Sequence, residues 1–261
     1  MSLNETVTAG VAKKVDLISQ DWGRFATRAT LAGAYLTLGT AFAGVVGQAV
    51  NQVAPGLGGV AFALFFGLGL FCIVILNAEL ATGDMMFMIF GAVRRQISWG
   101  RAFAVIGVAT LFNLVGAVAV AAVLGCSAKL SGMGADHLIY TLTEGKLGKS
   151  PVQLLVEGIG ANFVVNMGIV GALFAKDIVS KFVVLVPVIA IFVGLGFEHV
   201  IANFSLVTTT LFAADSLSSP VDAAHILTNW ALVWVGNVLG GGFLIGGVYA
   251  WLNAGPEAYR D

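Results

Sequence analysis

The stretch GFEHVIANF, Gly196 to Phe204, decides the fold. It sets Glu198 and His199 in the middle of an apolar run from Phe182 to Phe212. Such a run exceeds the roughly 20 residues that one plain helix needs to cross a bilayer. Ionisable groups at its centre are expensive in hydrocarbon and mark a polar interior. A second stretch, NAELATGDMMF from Asn77 to Phe87, interrupts another overlong run, Leu57 to Phe90. In both, a glutamate is followed five residues later by Asp or Asn: Glu79 by Asp84, and Glu198 by Asn203. The interruptions are expected at Thr82-Gly83 and at Ala202-Asn203.

Four further runs are long enough to span: Thr27 to Val50, Ala102 to Cys126, Val152 to Ala175 and Ile226 to Trp251. The third and sixth runs also correspond, through FNLVG (Phe112 to Gly116) and GNVLGG (Gly236 to Gly241). The sequence therefore reads as an all-α membrane protein of six transmembrane helices. The first three look like a diverged copy of the last three, and an odd number of spans per copy inverts one copy relative to the other. Inverted repeats with paired broken helices are a transporter and channel signature. The reason is hydrogen bonding, since unwound backbone cannot face lipid but can face a pore or a packed interior. Packing kinks are the alternative reading of the two interruptions.

Composition agrees. The chain is 58% hydrophobic and 10% charged, with mean hydropathy +0.94. A soluble domain carries about 25% charged residues, so an ordinary soluble enzyme is excluded. A net charge of −1 gives no nucleic-acid signature. Glycine, 34 of 261 residues, suits closely packed helices. Cys72 and Cys126 read as small core residues, and His137, His199 and His225 are scattered, so neither a metal nor a cofactor is expected. No catalytic constellation is visible. A polar stretch comes first, so no signal peptide is read.

Charge sets the orientation. With the N-terminus in the cytoplasm, the inner segments hold ten cations: Lys13, Lys14, Arg24, Arg28, Arg94, Arg95, Arg101, Lys176, Lys181 and Arg260. The outer loops hold only Lys129, Lys146 and Lys149. The positive-inside rule then places both termini in the cytoplasm. Val7, Val11, Val15, Ile18, Trp22 and Phe25 form one apolar helical face over residues 6–25. It reads as an amphipathic helix in the inner interface, or one packed under the bundle. The expected organisation is an N-terminal cytoplasmic helix at 1–26, a channel domain at 27–252 and a cytoplasmic tail at 253–261.

Within the spans, His199 is the most informative residue, because an imidazole there can hydrogen-bond a small anion or relay a proton. Glu198 and Glu79 read as braces for the broken backbone. Asn162 and Asn166, four apart, share one face that lines a pore or glues helices. Phe66 and Leu70 are also four apart, and Phe192 lies two turns before His199, so these are candidate apolar constrictions.

Together, GFEHVIAN, ELATG (Glu79 to Gly83), LAGAY (Leu31 to Tyr35), GNVLGG, and the spacing of Lys146, Pro151 and Asn162 resemble the formate/nitrite transporter family. The resemblance covers nearly the whole chain. It implies a homopentamer of aquaporin-like protomers in a prokaryotic-type inner membrane, each with its own pore for formate or a similar small anion. It further implies that His199 is the central pore histidine, Thr82 its hydrogen-bonding threonine, Asn162 a pore-facing asparagine and Lys146 a vestibule lysine. Phe66 and Leu70 then form the cytoplasmic constriction, and Leu80, Val165 and Phe192 the extracytoplasmic one. Ala81 stands where many members have Phe, and Asp84 where Asn is frequent. The ELAT-MM pattern is closer to the formate branch. A nitrite or hydrosulfide channel stays open as the alternative. A water or glycerol channel is disfavoured, because the chain has no Asn-Pro dipeptide.

Overall fold

The computed structural model describes residues 2–254. Most of the expected tail, with Pro256 and Arg260, lies outside the described residues. Helix α1 (Leu3–Gln20) starts with a capping box between Ser2 and Glu5. It ends at Asp21, whose side chain caps α2 (Trp22–Val53). The N-terminal face is therefore cut one turn short of expectation: Trp22 and Phe25 belong to α2, and Trp22 is exposed. The buried side of α1, Leu3, Val7 and Val11, packs against the bundle.

Next come α3 (Gly58–Ile75), α4 (Ala81–Val93) and α5 (Trp99–Gly125). A short helix, α6 (Leu138–Leu147), lies in the loop before α7 (Pro151–Phe174). The chain continues through α8 (Ile178–Gly194) and α9 (Val200–Ala213). Last, α10 (Ala223–Asn237), a π-helical segment (Val238–Gly247) and α11 (Val248–Leu252) run on as one helix. Helices α2, α3, α5, α7 and this last one are each long and apolar enough to cross a membrane, while α4, α8 and α9 are shorter and apolar. Cys126 caps α5 and is exposed, which corrects the reading of it as a core residue.

The interruptions fall at residues 76–80 and 195–199, several residues before the expected positions. Thr82-Gly83 and Ala202-Asn203 lie in the first turns of α4 and α9. The cause is local. Asn77 and Gly196 adopt left-handed backbone, φ 57° and 70°. They close α3 and α8 with the same pair of bonds: Ala78 N–H to Ile73 O at 2.9 Å, and Phe197 N–H to Phe192 O at 3.0 Å. Glycine and asparagine tolerate that conformation best.

Two asparagines then hold the open backbone. Asn113 Oδ1 accepts the Ala81 N–H at 2.9 Å, while its Nδ2 donates to Ala29 O and Glu79 O. Asn237 repeats this with the Val200 N–H, Gly158 O and Glu198 O. These amides bind the break directly, while Glu79 and Glu198 act on it through the cations they hold: Arg28 on Asn77 O, Lys146 on Phe197 O and Lys149 on Gly196 O. Three residues on, Gly116 and Gly240 let the helices touch. A Cβ on Gly116 would sit 1.9 Å from Thr30 O, and one on Gly240 2.0 Å from Ile159 O. No rotamer change relieves a clash with backbone. Gly240→Ala is expected to cost about 3 kcal/mol or more by overpacking, read as a lower Tm in lipid nanodiscs. A Tm equal to that of the unsubstituted protein would refute this crossing.

Candidate functional site

The two breaks bring α4 and α9 together inside the bundle, and both half-helices are buried along most of their length. His199 caps α9: its Nδ1 accepts the Ala202 N–H at 3.1 Å. In a neutral ring the proton then sits on Nε2, which donates to Thr82 Oγ1 at 2.8 Å. Thr82 is fixed from behind, where Asn162 and Asn166 donate to its carbonyl at 3.2 and 3.1 Å.

Three cavities lie in series along this contact. The middle one holds His199 and Val165 and has about 10 Å³ of room for the centre of a water molecule. That is about what one water needs, so a hydrated ion does not fit. On one side it shares Leu70 and Leu80 with a cavity of about 290 Å³ that reaches Lys14, Glu79 and Asp84 under α1. On the other it shares Phe66 and Phe192 with a cavity of about 390 Å³ that reaches Lys146. The rings of Phe66 and Phe192 meet edge to face at 5.8 Å, and Phe192 lies 5.8 Å from the His199 ring.

This grouping differs from the expected one. Phe66 and Leu70 share a helix face but stand one turn apart along it, so they flank the middle cavity on opposite sides. Leu80 groups with Leu70, and Phe192 with Phe66. Ala81 lines none of the three cavities; it is buried, with its N–H held by Asn113. Asn162 also lines none of them. It is fully buried and donates to Thr82 O and Asn237 O, so it glues helices.

Each break carries an ion-pair cluster. Glu198 Oε1 accepts from Lys146 at 3.0 Å and Lys149 at 2.7 Å, while Oε2 accepts from Asn203 at 2.6 Å. Lys149 also binds Glu157 and, at 2.7 Å, Gly196 O. Burial would weaken the Lys149 ammonium, but Glu198 and Glu157 outweigh it and raise its pKa. At the other break, Lys14 bridges Glu79 and Asp84, and Arg28 binds Glu79 at 3.0 Å and Asn77 O. Sequence reading had not singled out Lys14, Lys149, Arg28, Asn113 or Asn237 as site residues. A signal existed: carboxylates in apolar runs need cations, and the two asparagines sit in matching motifs.

Among known proteins, the family model "Formate/nitrite transporter" matches residues 2–251. The chain is 29% identical over 251 residues to the formate channel BtFdhC of Bacillus thuringiensis, covering 93% of this chain and 90% of that one. It is 29% identical over 236 residues to the nitrite transporter NirC of Escherichia coli, covering 90% and 85%. A solved structure titled "FNT family ion channel" matches with TM-score 0.87 and 27% identity, covering 95% of this chain and 97% of that one.

Proposed function

The chain belongs to the formate/nitrite transporter family, and from this premise we propose that it passes small monovalent weak acids, formate foremost, along the three serial cavities. The observation that carries this is the His199–Thr82 hydrogen bond beside a chamber closed by apolar side chains on both sides. The bilayer is crossed six times, with α3–α4 and α8–α9 each forming one broken span. The two halves are inverted repeats. The matched Asn113 and Asn237 clamps support this reading. Five protomers of aquaporin-like shape assemble, each with its own pore, in a prokaryotic-type inner membrane with both termini in the cytoplasm. The α1 side is the cytoplasmic one, by the positive-inside count.

The energetics favour protonation on the path. A bare carboxylate in a dry constriction loses hydration worth many kcal/mol. Neutralising an acid of pKa about 4 at pH 7 costs roughly 4 kcal/mol. Attraction as the anion and passage as the neutral acid is the cheaper route. Lys146 draws the anion into the outer cavity. Phe66 and Phe192 strip its water. His199 offers hydrogen bonds in the chamber; Thr82, buried behind it and lining none of the three cavities, orients its ring. Leu70 and Leu80, with Val165 between the two rings, complete the inner constriction.

Nitrite and hydrosulfide form the second reading, because identity to the nitrite transporter equals that to the formate channel. Flux into proteoliposomes decides. Formate, nitrite and hydrosulfide are compared as external pH runs from about 8 to about 5. Formate flux is expected to be fastest and to rise as pH falls. A preference for nitrite or hydrosulfide would overturn the substrate, and a flux that does not respond to pH would overturn protonation.

A further inference from the structure

Resting on that transport reading, we propose that Asp84 is a proton-carrying carboxylic acid at the Lys14-side mouth, which gives its proton to an arriving weak-acid anion and recovers one from a departing acid. The two halves make the comparison themselves. Five residues after Glu198, Asn203 donates Nδ2 to the Glu198 carboxylate at 2.6 Å. Five residues after Glu79, the equivalent place holds Asp84. An amide donates without help, but a carboxyl donates only when protonated.

The surroundings point the same way. Asp84 is 1% exposed. Its Oδ1 accepts from Lys14 at 2.6 Å; the same ammonium binds Glu79, which also holds Arg28 at 3.0 Å. Among the described residues, Asp84 Oδ2 has no hydrogen-bond partner. An ionised oxygen left bare at such depth is costly. Yet Asp84 is not sealed away. It lines the cavity under α1 with Leu70 and Leu80, and its N–H bonds Leu80 O one turn away at 2.8 Å. It therefore stands where an anion meets the apolar ring.

The charged groups around it are Lys13 and Lys14 on α1, Arg28 on α2, Glu79 in the break and Lys181 on α8. Helix α7 contributes apolar Ile169, Ala172 and Leu173. Of the other helices against α4, α5 carries only Arg101, bound to Ser19, and α11 only Tyr249; the π-helical segment carries no titratable side chain, and α9 brings its cap His199, whose Nε2 bonds Thr82 two residues before Asp84. With Asp84 protonated, Lys14 and Arg28 outnumber Glu79, and Lys13 and Lys181 add to a positive mouth. In the transfer, the Asp84 O–H bond breaks and an O–H bond forms on the substrate oxygen. The negative charge passes from substrate to Asp84. The trap loses its excess positive charge as its guest becomes neutral and can enter the ring. A proton from water in the cavity then restores the acid.

Two readouts test this. Infrared spectra of the reconstituted protein, with isotope-labelled aspartate, are expected to show a protonated carboxyl band at neutral pH that is missing in Asp84→Asn. Absence of that band from the unsubstituted protein would overturn the proposal, whether or not the variant folds and whatever the substrate proves to be. In oriented proteoliposomes, Asp84→Asn is expected to slow flux from the α1 side about tenfold at pH near 8 and little at pH near 5, as for loss of a general acid. Superimposable pH profiles would also overturn it. If no weak acid crosses at all, the transport reading fails, while the infrared result still decides the protonation of Asp84.

Discussion

Asn237→Ala is expected to be among the most destabilising single changes in this protein. The amide serves three backbone groups at once: the Val200 N–H and the carbonyls of Gly158 and Glu198, at 2.8 to 2.9 Å. Glu198 lies in the break and the Val200 N–H is a first-turn donor of α9, whereas Gly158 lies inside α7. Orphaning a buried polar group costs about 1–3 kcal/mol, so losing the partners of the Val200 N–H and the Glu198 carbonyl costs about 2 kcal/mol at the least. At roughly 2–4 °C per kcal/mol for a chain of this size, Tm in nanodiscs should fall by at least about 4 to 8 °C. Asn237→Asp should do no better, because a carboxylate keeps the Val200 N–H but faces two carbonyls it cannot bind. Asn113→Ala should match Asn237→Ala, since it does the same work at the other break. Asn253→Ala is the control. Among the described residues its amide donates only to Tyr249 O, one turn back. An Asn237→Ala protein that melts with the unsubstituted one would remove the clamp from this account.

These clamps also show what was and was not legible. The paired interruptions, the recurrence of Glu79 and Glu198, and the match of FNLVG with GNVLGG were visible in the letters. The family followed from the same strings, and the family match over residues 2–251 agrees. The exact stopping points were not visible, because α3 stops at a left-handed asparagine, Asn77, that resembles any other polar residue. Nor were the partners of the buried carboxylates, since Lys14 meets Glu79 from 65 positions away. Helical spacing put Phe66 and Leu70 on one face correctly but says nothing about height along the pore axis. That missing coordinate assigned them to a single ring, when each pairs with a residue from another element. The same limit applies to Asn162: its face was readable, but not that Thr82 O and Asn237 O would consume its amide.

His199→Asn separates the chemical part of His199 from its structural part. Asparagine is a good N-cap, so the Ala202 N–H keeps an acceptor and α9 keeps its first turn. What goes is the reach of Nε2 to Thr82 and the ring tilted against Phe192. The cap survives, but the buried Thr82 hydroxyl loses its partner, so fold stability should fall by about 1–3 kcal/mol. Flux should not be spared. The passing guest is poorest in hydrogen bonds in the chamber, where only about one water fits. A hydrogen bond to a charged or charge-sharing partner is worth about 1.5–3 kcal/mol. Each 1.4 kcal/mol is tenfold in rate, so its loss at the barrier slows flux about 10- to 100-fold. His199→Leu should lose the cap as well, adding about 1 kcal/mol of instability to the same transport defect. Thr82→Val should reproduce the flux defect in part, because it leaves Nε2 without its acceptor but keeps the ring. A stability loss well beyond about 3 kcal/mol, with flux lost in step, would make His199 a structural residue and nothing more. Full flux with an unchanged pH dependence would place the barrier elsewhere along the pore, at the Phe66–Phe192 or Leu70–Leu80 pair.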